Sequence, residues 1–425
     1  MPSPATRTVS FKTVGCRLNQ AETAQITSQF VAAGYRVVDA GQPCDVAVVN
    51  SCTITHGAER DCARWARRLR REGASCVILA GCAVVQDGER LRQETGVDLI
   101  ADQTDKFRLI ELLHGPDGIA TDVAIMGTQV PDHVGMPVFA ATRAIVKAQD
   151  GCNFRCSYCI VPDARGLPHS RPLGDVVDDV RRLAEQGFRE VVVTGANIGC
   201  YRDDRHDLVA LLQAVEAVDG IERMRISSIE STTVERDVID FMAGSAKLCH
   251  FLHLPLQSGD DDTLRRMGRR YTSDQYREVV AYAVDQIPDL GLGSDIIVGF
   301  PGESDAAFES TLACARDLPF SNLHVFSYSQ RRGTPAADMP DQIDAAVKKA
   351  RSAQLIELGK AKRAAFAQRF IGRPVSMLVE RVKAGGLATG WSDQYLPVRI
   401  TKADAKENDI ITFIPTTAVD DTLVG

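Results

Sequence analysis

Three apolar runs near the N-terminus end alike: VSFKTVGC closes on Gly15-Cys16, DVAVVNSC on Ser51-Cys52 and CVILAGC on Gly81-Cys82. Each has the β-branched content of a buried strand, and helix-like stretches separate them, AETAQITSQFVAAG and GAERDCARWARRLRREG. In the second stretch Ala58, Cys62, Trp65 and Leu69 recur at helical spacing. Strands alternating with helices predict a parallel α/β sheet, whose strands bring their carboxyl ends to one edge. Three cysteines on that edge can meet although 36 and 30 positions separate them in sequence. The alternative is three buried thiols, since free Cys is among the most buried residue types. Their repeated position at a strand end favours a ligand site.

A chain of 425 residues is too long for one ordinary core and predicts two or three domains. Apolar residues make up 44% and charged residues 25%, the profile of a soluble globular protein. The opening MPSPATRTVSFKTVGC offers no apolar signal segment, and no stretch has eighteen uninterrupted apolar residues, so a cytoplasmic protein without a membrane partner is expected. Twelve cysteines in a reducing compartment point to thiols or metal ligands ahead of disulfides. A net charge of −7 argues against a chain that coats nucleic acid, but leaves room for a local basic face.

Gly, Pro and Asp loosen the pattern over 115–137, as in a linker. From Ala144 a second series begins, with strand candidates AIVKAQ, EVVVTGAN, RMRISSIE, FLHLPLQS, DIIVGF and LHVFSYS and helix-like segments between most of them. Six such units fit a partial (β/α) barrel with its chemistry at the carboxyl ends of the strands. A long helical stretch ends near Gly372, and the short strand candidates beyond it suggest a small β-barrel of about fifty residues. The expected fold class is α/β: an N-terminal parallel α/β domain over 5–117, a partial (β/α)6 barrel over 138–367, and a small β-barrel over 370–425.

Cys152, Cys156 and Cys159, in GCNFRCSYC, directly follow the first barrel strand. Structural zinc usually takes paired Cys-x-x-Cys elements or added His, and no fourth ligand is near in sequence. A four-iron, four-sulfur cluster held by three thiolates keeps one iron open for a substrate or cofactor. CNFRCSYC at this place resembles the signature of the radical S-adenosylmethionine (SAM) enzymes, in which the amino and carboxylate groups of SAM chelate the open iron. Electron transfer then yields methionine and a 5′-deoxyadenosyl radical. VVVTGANIG resembles that family's second-strand motif and makes Gly195 and Asn197 candidates for the amino group. RISSIE puts Ser228 and Glu230 at a strand end where the family it resembles binds the polar parts of the cosubstrate. DIIVGFPGE, containing Gly299, resembles the motif near the adenine, and Tyr158 is a candidate for packing there. Gln257 and Ser258 lie at a strand end facing the expected cavity and are candidates to touch cosubstrate or base, Gln257 being counted with the SAM-binding residues. Taken singly, each of these is also an ordinary βα turn.

The contexts VGCRLNQAET, VVNSCTIT and LAGCAVV, followed by the radical motif and a small β-domain, resemble the methylthiotransferases over nearly the whole chain. The resemblance implies two 4Fe-4S clusters, an auxiliary one on Cys16, Cys52 and Cys82 and a radical one on Cys152, Cys156 and Cys159. It also implies SAM as radical source and methyl donor. No side chain is basic enough to take a proton from an aromatic C–H, whereas a carbon radical can remove the hydrogen atom. Members acting on isopentenylated adenosine tend to read Gly-Cys-Gln-Met-Asn at the first cysteine, and those acting on a ribosomal protein Gly-Cys-Pro-Lys-Asn. GCRLNQAET is closer to the branch that modifies N6-threonylcarbamoyladenosine (t6A) to its 2-methylthio form (ms2t6A) beside the anticodon, as is YCIVPDARG, although Asp163 replaces a common aromatic. The implied partners are the tRNA anticodon stem-loop, an electron donor such as flavodoxin or ferredoxin, and a sulfur donor. The rivals are another acceptor, either isopentenyladenosine or a ribosomal protein side chain, and a non-catalytic iron-sulfur RNA-binding protein. No protein side chain is assigned as a catalytic residue.

The C-terminal segment is similar to the TRAM domain, an RNA-binding β-barrel, but from Arg373 onward it holds six Lys or Arg against seven Asp or Glu. Arg60, Arg64, Arg67 and Arg71 share one helical face, which is either an RNA contact or merely solvated. Arg165 and Arg171 are candidates to steady a phosphate or carboxylate. His253 and His324 read as packed or hydrogen-bonded barrel residues. Cys44, Cys62, Cys76, Cys200, Cys249 and Cys314 read as structural thiols.

Overall fold

The structure, a computed structural model, describes residues 7–114 and 142–425; the expected linker at 115–137 lies outside the described residues. The chain forms two compact units. The first takes the described N-terminal residues together with Gly151–Asn153 and Cys159–Leu167, and the second takes the rest.

In the first unit the elements run β1 (Thr8–Thr13), α1 (Arg17–Ala32), β2 (Arg36–Val38), β3 (Cys44–Ser51), α2 (His56–Arg71), β4 (Ala74–Gly81), α3 (Cys82–Thr95), β5 (Leu99–Ala101) and α4 (Leu109–His114). The five strands are all parallel, in the order β2-β1-β3-β4-β5. Both faces of β3 are covered: Val46 and Val48 pack with Ile26 and Phe30, and Ala47 and Val49 with Ala66 and Leu69. This explains the uninterrupted apolar run. The chain reverses its winding between β1 and β3, the switch point where sheets of this order open a crevice beyond the strand ends. On α2, Cys62, Ala63, Ala66 and Leu69 are buried, while Arg60, Arg64, Arg67 and Arg71 are exposed.

The second unit carries β6 (Arg143–Lys147), β7 (Gln149–Asp150), β8 (His169–Ser170), α6 (Leu173–Glu185), β9 (Glu190–Thr194), α7 (Leu208–Glu216), β10 (Arg223–Ile226), α8 (Arg236–Gly244), β11 (Phe251–His253), α9 (Asp261–Arg266), α10 (Ser273–Gln286), β12 (Gly291–Val298), α11 (Asp305–Asp317), β13 (Asn322–Ser327) and α12 (Ala345–Gln368). The short α5 (Val161–Arg165) belongs to the first unit. Strands β6-β9-β10 and β11-β12-β13 form two parallel sheets. A parallel bridge from Met224 to Leu248 joins them, with the Cys249 N–H donating to the Met224 carbonyl at 2.9 Å. Six parallel strands in chain order make the partial barrel.

The C-terminal strands β14 (Val375–Lys383), β15 (Leu387–Ser392), β16 (Pro397–Thr401), β17 (Ile410–Phe413), β18 (Thr417–Val419) and β19 (Thr422–Val424) form one sheet, ordered β17-β14-β15-β16-β19-β18. It curls as a half-barrel around Met377, Val379, Val398 and Leu423, with Phe366 of α12 in the same core. A buried charge cluster fastens this sheet to the amino ends of the barrel strands. Arg225, fully buried, donates to Glu190 at 2.9 Å and to the carbonyls of Ser392 at 2.7 Å and Asp393 at 2.9 Å. Glu190 also pairs with Arg223 at 3.0 Å. Among the described residues no helix is long and apolar enough to cross a membrane.

Burial alone would raise the Glu190 carboxyl; Arg225, Arg223 and Arg143 outweigh it and hold the carboxyl below the ordinary range. A depressed folded pKa contributes stability at neutral pH that is lost as pH falls below the ordinary carboxylate range. Glu190→Gln should cost about 3 kcal/mol by leaving two arginines short of charge. Urea denaturation followed by circular dichroism measures this, and a loss under about 1 kcal/mol would show that the cluster does not hold the sheet.

Candidate functional site

Cys16 follows β1, Cys52 follows β3 and Cys82 follows β4, so the first two flank the switch point of the sheet. Burial pushes the Cys52 thiol up to about 11, and the neighbouring Cys16 and Cys82 sulfurs push in the same direction. The three thiols therefore share one neighbourhood. Their Gly and Ser companions have physical reasons to be there. Gly15 has φ +112°, and a Cβ on it would stand 2.6 Å from Cys52 Cβ; Gly81 has φ +96°, and a Cβ there would stand 2.7 Å from Asn50 Oδ1. The Ser51 hydroxyl donates to the Ala80 carbonyl at 2.6 Å and accepts from the Ala83 N–H at 3.2 Å, tying the end of β3 to that of β4.

The Asn19 amide does the same for β1 and β3, donating to the carbonyls of Val14 at 2.7 Å and Ser51 at 2.8 Å. Its Oδ1 accepts from Arg165 at 2.7 Å. Arg165 also grips Glu22 through contacts of 3.0 and 3.2 Å, and Lys106 pairs with Glu22 at 2.6 Å; all three side chains are buried. One carboxylate against two cations leaves a positive environment beside the thiols. It works against the burial that raises the Cys82 thiol, and Gln103 donates to that sulfur at 2.8 Å. Three thiols backed by cations suit an anionic metal group. Arg165, a candidate to steady a phosphate or carboxylate, has the carboxylate of Glu22 within its own chain as partner. Arg171 likewise turns inward, to the Lys147 carbonyl at 2.9 Å and to Asp179 at 2.6 Å.

Of the second cysteine trio, Cys152 and Cys159 lie in the first unit and Cys156 in the second. The Cys152 N–H donates to the Gly166 carbonyl at 3.1 Å. Cys156 is buried, and Arg269 donates to its sulfur at 3.2 Å and to the Tyr158 hydroxyl at 3.4 Å. Arg269 also pairs with Glu230. The Ser157 N–H donates to the Met267 carbonyl at 2.9 Å and its hydroxyl to the Arg266 carbonyl at 2.7 Å, fastening the middle of the motif.

Residues expected to meet SAM all follow the carboxyl ends of barrel strands: Gly195 and Asn197 after β9, Ser228 and Glu230 after β10, Gln257 after β11 and Gly299 after β12. The Gly195 N–H donates to the Ser227 hydroxyl at 3.3 Å. Asn197 is buried, its amide engaged with Thr233 at 3.2 Å and Cys200 at 3.2 Å. The structure therefore ties Cys200, read as a structural thiol, to a candidate binding residue. Ser228 is exposed. Tyr158 meets Phe300 edge-on, with ring centroids 6.4 Å apart, and the Gly299 N–H donates to Glu303 at 2.7 Å. Gln257 has φ +64°, and its buried Oε1 has no hydrogen-bond partner among the described residues. An orphaned buried acceptor beside a strained backbone at a strand end fits a ligand that brings a donor. Ser258 does not face a cavity: it is fully buried, with its hydroxyl 3.1 Å from that of Thr311. Asn19, Glu22, Lys106 and Arg269 were not singled out from the sequence, and their pairings carry no local signal.

Comparison with known proteins matches these features. The Radical SAM superfamily matches residues 146–315, and the uncharacterized protein family UPF0004 matches residues 8–102. The radical SAM methyltransferase TsrM from Kitasatospora setae shares the fold, with a TM-score of 0.57 at 14% identity over 78% of this chain and 74% of that one. The fold and the three-cysteine loop thus define a radical SAM enzyme. Threonylcarbamoyladenosine tRNA methylthiotransferase MtaB of Bacillus subtilis is 34% identical over 92% of this chain and 90% of its own. The Aquifex aeolicus protein of the same name is 33% identical over 87% and 92%. A tRNA-2-methylthio-N(6)-dimethylallyladenosine synthase from Histophilus somni is 34% identical over 88% and 82%. The chain belongs to the radical SAM methylthiotransferase family, and that membership implies a 4Fe-4S cluster and SAM.

Gly15→Ala should destabilise the protein by about 2 kcal/mol, because the new Cβ collides with Cys52 at a left-handed backbone position. Gly174→Ala, where a Cβ meets nothing within 4 Å and φ is ordinary, is the control and should not destabilise. Melting curves of the two variants, superimposed, would contradict the packing assigned to Gly15.

Proposed function

We propose that this enzyme methylthiolates C2 of t6A next to the anticodon of tRNA, giving ms2t6A. The observation that carries this reading is the gathering of Cys16, Cys52 and Cys82 at the carboxyl edge of the N-terminal sheet, in a chain that also bears the CNFRCSYC motif. The acceptor is favoured by the names of the MtaB relatives and by the stretch GCRLNQAET. Relatives named for dimethylallyladenosine are equally similar, which makes that nucleoside the second reading.

In this account Cys152, Cys156 and Cys159 hold the radical cluster and Cys16, Cys52 and Cys82 a second four-iron cluster. Ser228, Glu230 and Gln257 meet the polar parts of SAM, Gly195 and Asn197 its amino group, and Tyr158 and Gly299 its adenine. When bound, the reduced cluster and SAM supply hydrogen-atom abstraction and methyl transfer. The chain's own contribution is electrostatic. Arg269 donates toward the Cys156 sulfur, drawing charge off a ligand of the cluster. Arg165 and Lys106 favour negative charge at the Cys82 sulfur, against the burial that disfavours it. The domains are taken as 5–117, 138–367 and 370–425, with the last as an RNA-binding module and the protein as cytoplasmic. A flavodoxin- or ferredoxin-like donor supplies electrons, and a separate donor supplies sulfur.

Mass spectrometry of tRNA nucleosides from a deletion strain tests both reaction and acceptor. The 2-methylthio mark on t6A should disappear while t6A accumulates. If that mark persists and the one on isopentenyladenosine is lost, the second reading replaces the first.

A further inference from the structure

β13 is the edge strand of its sheet, and α12 covers one of its faces. Ser327 and Ser352 of α12 have hydroxyls 3.0 Å apart, and Leu323 abuts Gly359 of α12. Strand alternation turns His324 and Phe326 to the opposite, concave face. Ile297 of β12 packs against the buried cluster of Met267, Phe300, Tyr328 and Ala336. The register places Asp295 beside His324 and Ile297 beside Phe326. Both rings are open to solvent, the His324 side chain by 50% and Phe326 by 46%. Phe326 is the one aromatic among the large exposed apolar side chains of the described residues. Folding alone gives no reason for it to be there.

The neighbouring polar rung explains why His324 holds its pose. His253 Nε2 lies 3.0 Å and His324 Nδ1 3.3 Å from Asp295 Oδ1. These three side chains could be read as ligands of a divalent cation. The far side of His324 argues otherwise. Asn322 places its amide nitrogen 3.0 Å from His324 Nε2, while its Oδ1 accepts from Arg363 at 3.1 Å. Nε2 is therefore the acceptor, and the ring proton sits on Nδ1, toward Asp295, where a metal would need a lone pair. Both ring nitrogens are engaged, and what His324 offers to solvent is the ring itself.

We propose that His324 and Phe326 form a stacking platform for the acceptor nucleobase, with the His324 ring fixed by Asp295 and Asn322. The inference rests on the RNA acceptor proposed above and names the side chains that would receive its base. Aromatic side chains on adjacent same-face positions of a strand are a recurrent way for sheets to take unpaired bases, because every base has a π-face to stack.

The test uses the reconstituted holoenzyme and an anticodon stem-loop carrying 2-aminopurine at the target position, whose fluorescence falls on stacking. Phe326→Ala should weaken binding about tenfold or more and abolish the fluorescence change, His324→Ala should act in the same direction, and Phe326→Tyr should restore both. Iron content and melting temperature verify that each variant is folded. Wild-type binding and quenching with Phe326→Ala unchanged would overturn the platform alone. Failure of the wild type to bind any stem-loop would overturn the RNA reading, and the platform with it. A stoichiometric non-iron metal that is lost in His324→Ala would overturn the ring assignment.

Discussion

The Asn19 side chain joins the ends of β1 and β3 by donating to two carbonyls, and the placement of the N-terminal cysteines depends on that junction. A parallel sheet leaves the last carbonyls of its strands without ladder partners, and buried carbonyls must be satisfied locally. Here the amide that satisfies them sits one helical turn after Cys16, so closing the strand ends and positioning the thiol are one event. Ser51 repeats the device between β3 and β4. Gly15 and Gly81 supply the left-handed turns that let the backbone approach so closely.

Buried charge is placed with equal economy in both units. Glu22 holds Lys106 and Arg165 near the N-terminal thiols, and Glu190 holds Arg223 and Arg225 under the C-terminal sheet. Such groups persist in an interior because the two cations of each cluster share one buried carboxylate. The first cluster contributes a positive surplus to the sheet edge that carries Cys16, Cys52 and Cys82. The second anchors a small sheet to the amino ends of the barrel strands, at the opposite end from Glu230 and Gln257.

Much of this was legible in the sequence. Strand-helix alternation defined the parallel sheet and the six-stranded barrel, and the Gly-Cys pairs marked strand ends because a close backbone approach demands glycine there. Motif similarity pointed to the family. What was not legible shares one cause. Arg165 reaches Glu22 from 143 positions away, and Arg269 reaches Cys156 from 113. Partners that distant leave no periodic trace, so the sequence offered Arg165 a phosphate or carboxylate without naming Glu22, and did not single out Arg269. Ser258 was placed in the cavity for being near a strand end, but the short β11 stops at His253 and the backbone turns before reaching it.

The central claim is that two separate trios of cysteines each hold iron, and iron counting on anaerobically reconstituted protein addresses it directly. The account predicts about eight irons per chain, falling to about four when Cys16, Cys52 and Cys82 are all replaced by alanine, with 5′-deoxyadenosine still formed from SAM and dithionite. About four irons in the unaltered protein, undiminished by that triple replacement, would contradict it.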